Sequence, residues 1–178
     1  MGGIDCFISV LTLFANDCSG FFNMTGTNCN GNIILRGSIL QNPSTFTGVN
    51  FGLTKNNLTV VGFIDPPDLP SFHFQTLVSG VGFLVREGHT YVNQSRDLNV
   101  NSSFVTEKAP RSSVGTFKNG SVFLFQTYGI ESVGEGLDLH EFASVLVNDI
   151  GAWNVMNLGK RVDGRFGETT FVKTSSIH

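Results

Sequence analysis

The sequence predicts an α+β fold: a β-rich single domain of hairpins forming a mixed sheet, with one main helix near residues 138–148. Three observations carry this expectation. Seventeen Phe against one Trp and two Tyr in 178 residues point to a core filled by aromatic rings, which pack well on strands. Short apolar runs recur between clusters of Gly, Asn, Asp and Pro, the punctuation of hairpins. A single stretch has helical spacing, and it comes late, so strands and helix are segregated rather than alternating. A chain of this length fits one domain and can bury a sizeable core.

From the N-terminus, the apolar run after Cys6 (FISVLTLFA) has the length of a signal-peptide core. Asp5 stands where a basic flank belongs, so a buried strand is expected instead. Residues 46–54 and 58–64 flank Lys55-Asn56 as a hairpin. The segment Asp65-Pro66-Pro67-Asp68-Leu69-Pro70 cannot join a central strand and reads as a linker loop. Residues 81–85 and 90–92 flank Arg86-Glu87-Gly88-His89 as a second hairpin, and the polar stretch 93–108 reads as a surface excursion. Residues 113–117 and 121–126 form the third hairpin around Lys118-Asn119-Gly120, where Asn-Gly suits a type I′ turn. In the helix, Asp138 caps the start and Glu141 completes a capping box. Leu139, Phe142, Val145 and Leu146 share one face, and a strand over 153–158 follows.

Charge and composition exclude several classes. The net charge is −3 and no Lys/Arg cluster offers a nucleic-acid surface. No apolar run reaches the roughly 18–20 residues a membrane span needs. Cys6, Cys18 and Cys29 lack metal-ligand spacing, and His73, His89, His140 and His178 are scattered, so neither metal nor cofactor is expected. The odd count fits one disulfide with a free thiol, or simply small buried thiols. Five sequons, at Asn23, Asn57, Asn93, Asn101 and Asn119, favour the secretory pathway (Golgi, lysosomal or extracellular); Asn57 and Asn119 fall at expected turns, where a glycan fits.

Two stretches suggest chemistry. The run Met156-Asn157-Leu158 opens into a loop with glycines at 159, 164 and 167, and with Asp163, Arg165 and Glu168 among them. Glycines let backbone N–H groups approach a ligand, although a Gly-rich charged loop is more often a plain surface connection. Arg111-Ser112-Ser113 at the mouth of a strand offers a guanidinium and two hydroxyls, a set that can hold a phosphate; an exposed loop-end arginine is the plainer reading. A third stretch, Ser19-Gly20-Phe21-Phe22, has the composition of core.

Taken in order, these stretches resemble the phosphodiester glycosidase family over residues 18–173. The family's Gly-Phe-Phe motif, its later Cys and its Gly-Asn are matched by Gly20-Phe21-Phe22, Cys29 and Gly31-Asn32. A hairpin is matched by Val49-Asn50-Phe51-Gly52 and residues 58–62, and a Leu-x-Ser-Gly-Val segment by Leu77-Val78-Ser79-Gly80-Val81. An Arg-Thr-Ala-Ile-Gly type motif looks like Arg111-Ser112-Ser113-Val114-Gly115. The family's Asn-Leu-Asp-Gly-Gly-Gly-Ser-x-Thr loop looks like Asn157-Leu158 through Thr170.

The resemblance implies hydrolysis of a sugar-1-phosphodiester of the GlcNAc-1-phospho-6-mannose type. N-acetylglucosamine leaves and mannose 6-phosphate is exposed, as in lysosomal enzyme targeting; the partner is a glycan or glycoprotein carrying that diester. It implies Asp163 as the catalytic carboxylate with Glu168 in reserve, and Arg111, Ser112 and Ser113 on the phosphate or sugar. Gly20, Phe21, Asn157, Gly164, Gly167 and Thr169 shape the site. The sequence departs from the pattern twice. Cys18 replaces an Asn, and Gly159-Lys160-Arg161-Val162 separates Leu158 from Asp163. Either Asp163-Gly164 takes the family's Asp-Gly role after a small insertion, or that aspartate is lost at Gly159. The alternative function is therefore a catalytically degenerate relative that binds phosphorylated glycans or serves as a secreted structural domain. Against the family, the chain is expected to be one phosphodiester glycosidase-like domain over 1–178, short of the family domain's N-terminal portion.

Overall fold

The computed structural model describes residues 31–41, 47–130, 133–160 and 171–173. The apolar run after Cys6, the three cysteines, Gly20, Phe21 and Asn23 lie outside these residues, as do Asp163, Gly164, Gly167, Glu168 and Thr169.

The class is α+β, with strands grouped in two sheets. The first carries β1 (Ile33–Leu35), β2 (Ser38–Gln41), β3 (Val49–Thr54), β4 (Thr59–Phe63) and β5 (Phe74–Ser79), in the order β2-β1-β5-β3-β4. The second carries β6 (Phe83–Arg86), β7 (His89–Thr90), β8 (Arg111–Thr116), β9 (Val122–Gln126), β10 (Asn154–Lys160) and β11 (Phe171–Lys173), in the order β11-β9-β8-β10-β6-β7. The expected mixed sheet is thus replaced by two sheets, and every pairing among the described residues is antiparallel. Short turns account for the hairpins, because a parallel pair needs a long crossover. The division falls where β5 gives way to β6 within four residues, across Gly82 at φ +98°.

Three apolar clusters hold the layers. Val49, Phe51 and Val78 of the first sheet pack with Phe83, Val114, Met156 and Leu158 of the second. The other face of the second sheet, through Phe123, Phe125 and Val155, receives the main helix by Leu139, Phe142 and Leu146. Ile34, Phe74 and Leu77 of the first sheet pack with Ile64 and Leu69 of the proline-rich segment. That segment, expected as a loop, contains a short 3-10 turn, Leu69–Phe72. The Phe content is used as expected: Phe125 stacks on Phe142 with centroids 5.9 Å apart, and Phe63 meets Phe83 edge-on at 5.7 Å.

Two expectations change in detail. The hairpin at Asn119 is not a type I′ turn, since of its residues only Gly120 has positive φ (+83°). Phe117 N donates to Ser121 O across a loop one residue longer, which a left-handed glycine closes. The polar stretch 93–108 is also less of an excursion than its composition suggests. It includes the helix α1 (Ser103–Thr106), and its first residues bind both sheets.

The main helix, α2 (Leu139–Asn148), starts as its sequence dictates. Asp138 Oδ1 accepts from His140 N and Glu141 N, both at 2.8 Å, while Glu141 Oε2 accepts from Asp138 N at 3.1 Å. Lys108 Nζ donates to Glu141 Oε1 at 2.9 Å, and this bond holds the Glu141 carboxyl below its ordinary range and the Lys108 amine above its own. A depressed carboxylate stabilises the fold above its unfolded pKa, so this small contribution fades as pH falls through the lowered folded value. Asp138→Ala is expected to cost about 1 kcal/mol. A thermal melt followed by circular dichroism should show that as a drop of roughly 2–4 °C.

Candidate functional site

The centre of the second sheet brings together residues that the sequence keeps 46 positions apart. Asn157 of β10 pairs with Ser113 of β8, so both side chains stand on one face, and Arg111, two residues before Ser113, shares it. Ser112 stands on the opposite face, beside Val114 of the inter-sheet core. All four are buried.

Arg111 opens β8 as expected but is buried, which corrects the plainer reading of an exposed loop-end arginine. Its exposure is 0%. Nε donates to the carbonyl of Leu137 at 3.0 Å, Nη2 donates to that of Glu107 at 2.7 Å, and the guanidinium lies 5.4 Å from the Phe104 ring centre. The residue ties α1 and the approach to α2 onto the edge of β8. Ser113 Oγ donates to Phe125 O at 3.4 Å.

Asn157 is fastened to the bend between the sheets. Its backbone N donates to Gly82 O at 2.9 Å, its O accepts from Val81 N at 3.1 Å, and its Nδ2 donates to Val81 O at 2.9 Å. Through Gly80 this bend continues into a second buried polar group. Ser79 Oγ donates to Asn50 Oδ1 at 2.7 Å, Asn32 Nδ2 donates to the same oxygen at 3.1 Å, and Asn32 N donates to Ser79 Oγ at 2.7 Å. The Oδ1 atoms of Asn32 and Asn157 are buried acceptors to which no described group donates. Asn32, Asn50 and Ser79 were in the motifs of the resemblance but were not expected in the site. Strand pairing unites them, and no local pattern signals it.

The loop carrying Asp163 and Glu168 lies outside the described residues, but both its anchors lie within them. Lys160 pairs with Arg111, and Phe171 pairs with Phe125, itself the partner of Ser113. The connection therefore leaves β10 beside Arg111 and returns at β11 on the far side of β9, with Phe125 between Phe171 and Ser113. Among the described residues, no group of three or more His, Cys, Asp or Glu is placed to hold a metal ion. No described helix is long and apolar enough to cross a membrane. The sequon residues Asn57, Asn93, Asn101 and Asn119 are all exposed.

The chain is a member of the phosphodiester glycosidases, whose family model matches residues 13–172. Among curated proteins it is similar to the N-acetylglucosamine-1-phosphodiester alpha-N-acetylglucosaminidases. The mouse protein is 29% identical over 168 residues, covering 89% of this chain and 31% of the relative. The human protein is 27% identical over 181 residues, covering 93% of this chain and 34% of the relative. The chain thus spans about a third of the length of these relatives. Among solved structures it is similar to the zebrafish catalytic domain auto-inhibited by its pro-peptide, with TM-score 0.68 and 28% identity, over 88% of this chain and 53% of that one.

Proposed function

We propose that this chain hydrolyses a sugar-1-phosphodiester of the GlcNAc-1-phospho-6-mannose type on a glycan or glycoprotein, releasing N-acetylglucosamine and leaving mannose 6-phosphate. One observation carries the reading. The loop bearing Asp163 and Glu168 is anchored at one end beside Arg111, in the row of Asn157, Ser113 and Arg111, and at the other end opposite Phe125. Cleavage at the anomeric carbon develops oxocarbenium-like charge, while the phosphate departs as an already weak base. The chemistry therefore asks for a carboxylate to activate water or stabilise the cation, and for donors on the phosphate. Asp163 takes the carboxylate role and Glu168 is the second carboxylate. Gly164, Gly167 and Thr169 shape the loop and offer backbone N–H groups, with Gly20, Phe21 and Ser113 completing the surroundings, while Ser112, on the opposite face of β8, is left out of this set. Arg111, held by two carbonyls, contributes its charge from within the fold. The names of the relatives support this substrate class, and the exposed sequons support a secretory-pathway glycoprotein.

The departures from the family pattern at Cys18 and at Gly159-Lys160-Arg161-Val162 favour a second reading, a degenerate relative that binds phosphorylated glycans without turning them over. One assay separates the two. The purified chain, Asp163→Asn and Glu168→Gln are compared for release of GlcNAc from a GlcNAc-1-phospho-6-mannoside. Release by the parent, with Asp163→Asn slowed by about 100-fold or more, is the expected result. Release that survives in Asp163→Asn but not in Glu168→Gln moves the carboxylate role to Glu168. No release from a folded parent that still binds the diester sinks the enzymatic reading.

A further inference from the structure

We propose that Asp97 is the positioning residue of this site: its carboxylate sets the bend between the two sheets on which Asn157, Ser79 and Asn50 depend. The proposal rests on the functional reading above for its kinetic consequences, and on geometry alone for the rest. Asp97 lies in a stretch whose composition suggests a surface excursion. Yet Oδ2 accepts from two backbone amides, Val49 N at 3.2 Å and Gly82 N at 3.0 Å. Oδ1 accepts from Ser95 Oγ at 2.5 Å, and Ser95 Oγ in turn accepts from Phe83 N at 2.7 Å. One carboxylate thus gathers the first residue of β3, the last residue of the bend, and through Ser95 the first residue of β6.

Those amides belong to the peptides that hold the polar groups. Val49 precedes Asn50 and its carbonyl accepts from Gly80 N at 3.0 Å, while the Gly82 carbonyl accepts from Asn157 N at 2.9 Å. A carboxylate is suited to this place because it offers acceptors in several directions and donates nothing that would repel an amide. Its neighbour Arg96 provides a natural control. Arg96 Nε donates to Thr47 O at 2.9 Å, the guanidinium pairs with Asp65, and it sits 4.5 Å from the Phe63 ring centre. It clasps the same sheet from the same loop, but touches neither the bend nor the polar groups.

The test compares Asp97→Ala, Asp97→Asn and Arg96→Gln in the full chain. Turnover of the GlcNAc-1-phosphodiester is read alongside the NMR signals of the Gly82 amide and the Asn157 side-chain amide. Asp97→Ala is expected to lower kcat by about tenfold or more with KM changed less than about twofold, and to shift both signals. Asp97→Asn, which still offers one oxygen to both amides, recovers most of kcat, and Arg96→Gln leaves kcat and both signals unchanged. The proposal is overturned if Asp97→Ala slows turnover no more than Arg96→Gln does, or if the two signals stay where they were. It is also overturned if Asp97→Ala does not fold while Arg96→Gln does, because Asp97 is then a residue of the fold as a whole. A parent chain without turnover refutes the enzymatic reading only; the two signals then decide the role of Asp97.

Discussion

Gly80→Ala is expected to destabilise the protein by about 3 kcal/mol or more, seen as a melting temperature lowered by roughly 6–12 °C. A Cβ at this position would stand on the carbonyl oxygen of Asn157 and 2.7 Å from Met156 Cγ. The obstacle is backbone on one side and a fully buried side chain on the other, so neither can swing away. Relief requires β10 to move off the bend, which breaks the bond from Val81 N to Asn157 O and frees the side chain that donates to Val81 O. The same change should therefore abolish turnover in whatever fraction stays folded. Gly62→Ala is the control. Nothing lies within 4 Å of the Cβ it would add, and its effect on the melt should be small. A Gly80→Ala melt as mild as that of Gly62→Ala would mean that the two sheets are less tightly joined at this bend than the geometry states.

This glycine also shows how far the sequence alone could be read. Ser79-Gly80-Val81 was visible as a motif, but the reason for its glycine is a contact with a strand nearly eighty residues away. The hairpins and the helix were legible because their signals are local. Asp138 and Glu141 make the expected capping box, and Gly120 takes the positive φ of its turn even though the turn type differs. The separation into two sheets was not legible, since it falls at the short connection Gly80-Val81-Gly82, which resembles any other glycine-containing loop. The polar group of Asn32, Asn50 and Ser79 was illegible for a related reason. Polar residues are exposed by default, and only the pairing of β3 with β5, and of β1 (which Asn32 precedes) with β5, makes these three neighbours in the interior. Asp97 was hidden by its surroundings. A run such as Asn93-Gln94-Ser95-Arg96-Asp97 has the composition of a solvated loop, and composition does not report which backbone amides a carboxylate will meet.

Arg111→Met should cost about 3 kcal/mol, and it tests the residue on which sequence and structure differ most. Methionine keeps much of the volume, so little of the loss comes from a cavity. What disappears is the pair of donors on Leu137 O and Glu107 O; Leu137 O keeps the bond from Ala109 N, while Glu107 O loses its guanidinium donor. Arg111→Lys should recover only part of the stability, because a single ammonium on a flexible stem lacks the fork that spans two acceptors. If Arg111 instead served chiefly as a phosphate ligand, the order of effects would reverse. Both variants would melt close to the parent, while affinity for the phosphodiester fell sharply in Arg111→Met and less in Arg111→Lys, which keeps the charge. Thermal melts and diester binding on the same three samples therefore distinguish an arginine that builds the site's wall from one that faces the substrate. The wall is the expected answer, because a guanidinium with no exposed surface already holds two main-chain carbonyls within 3.0 Å.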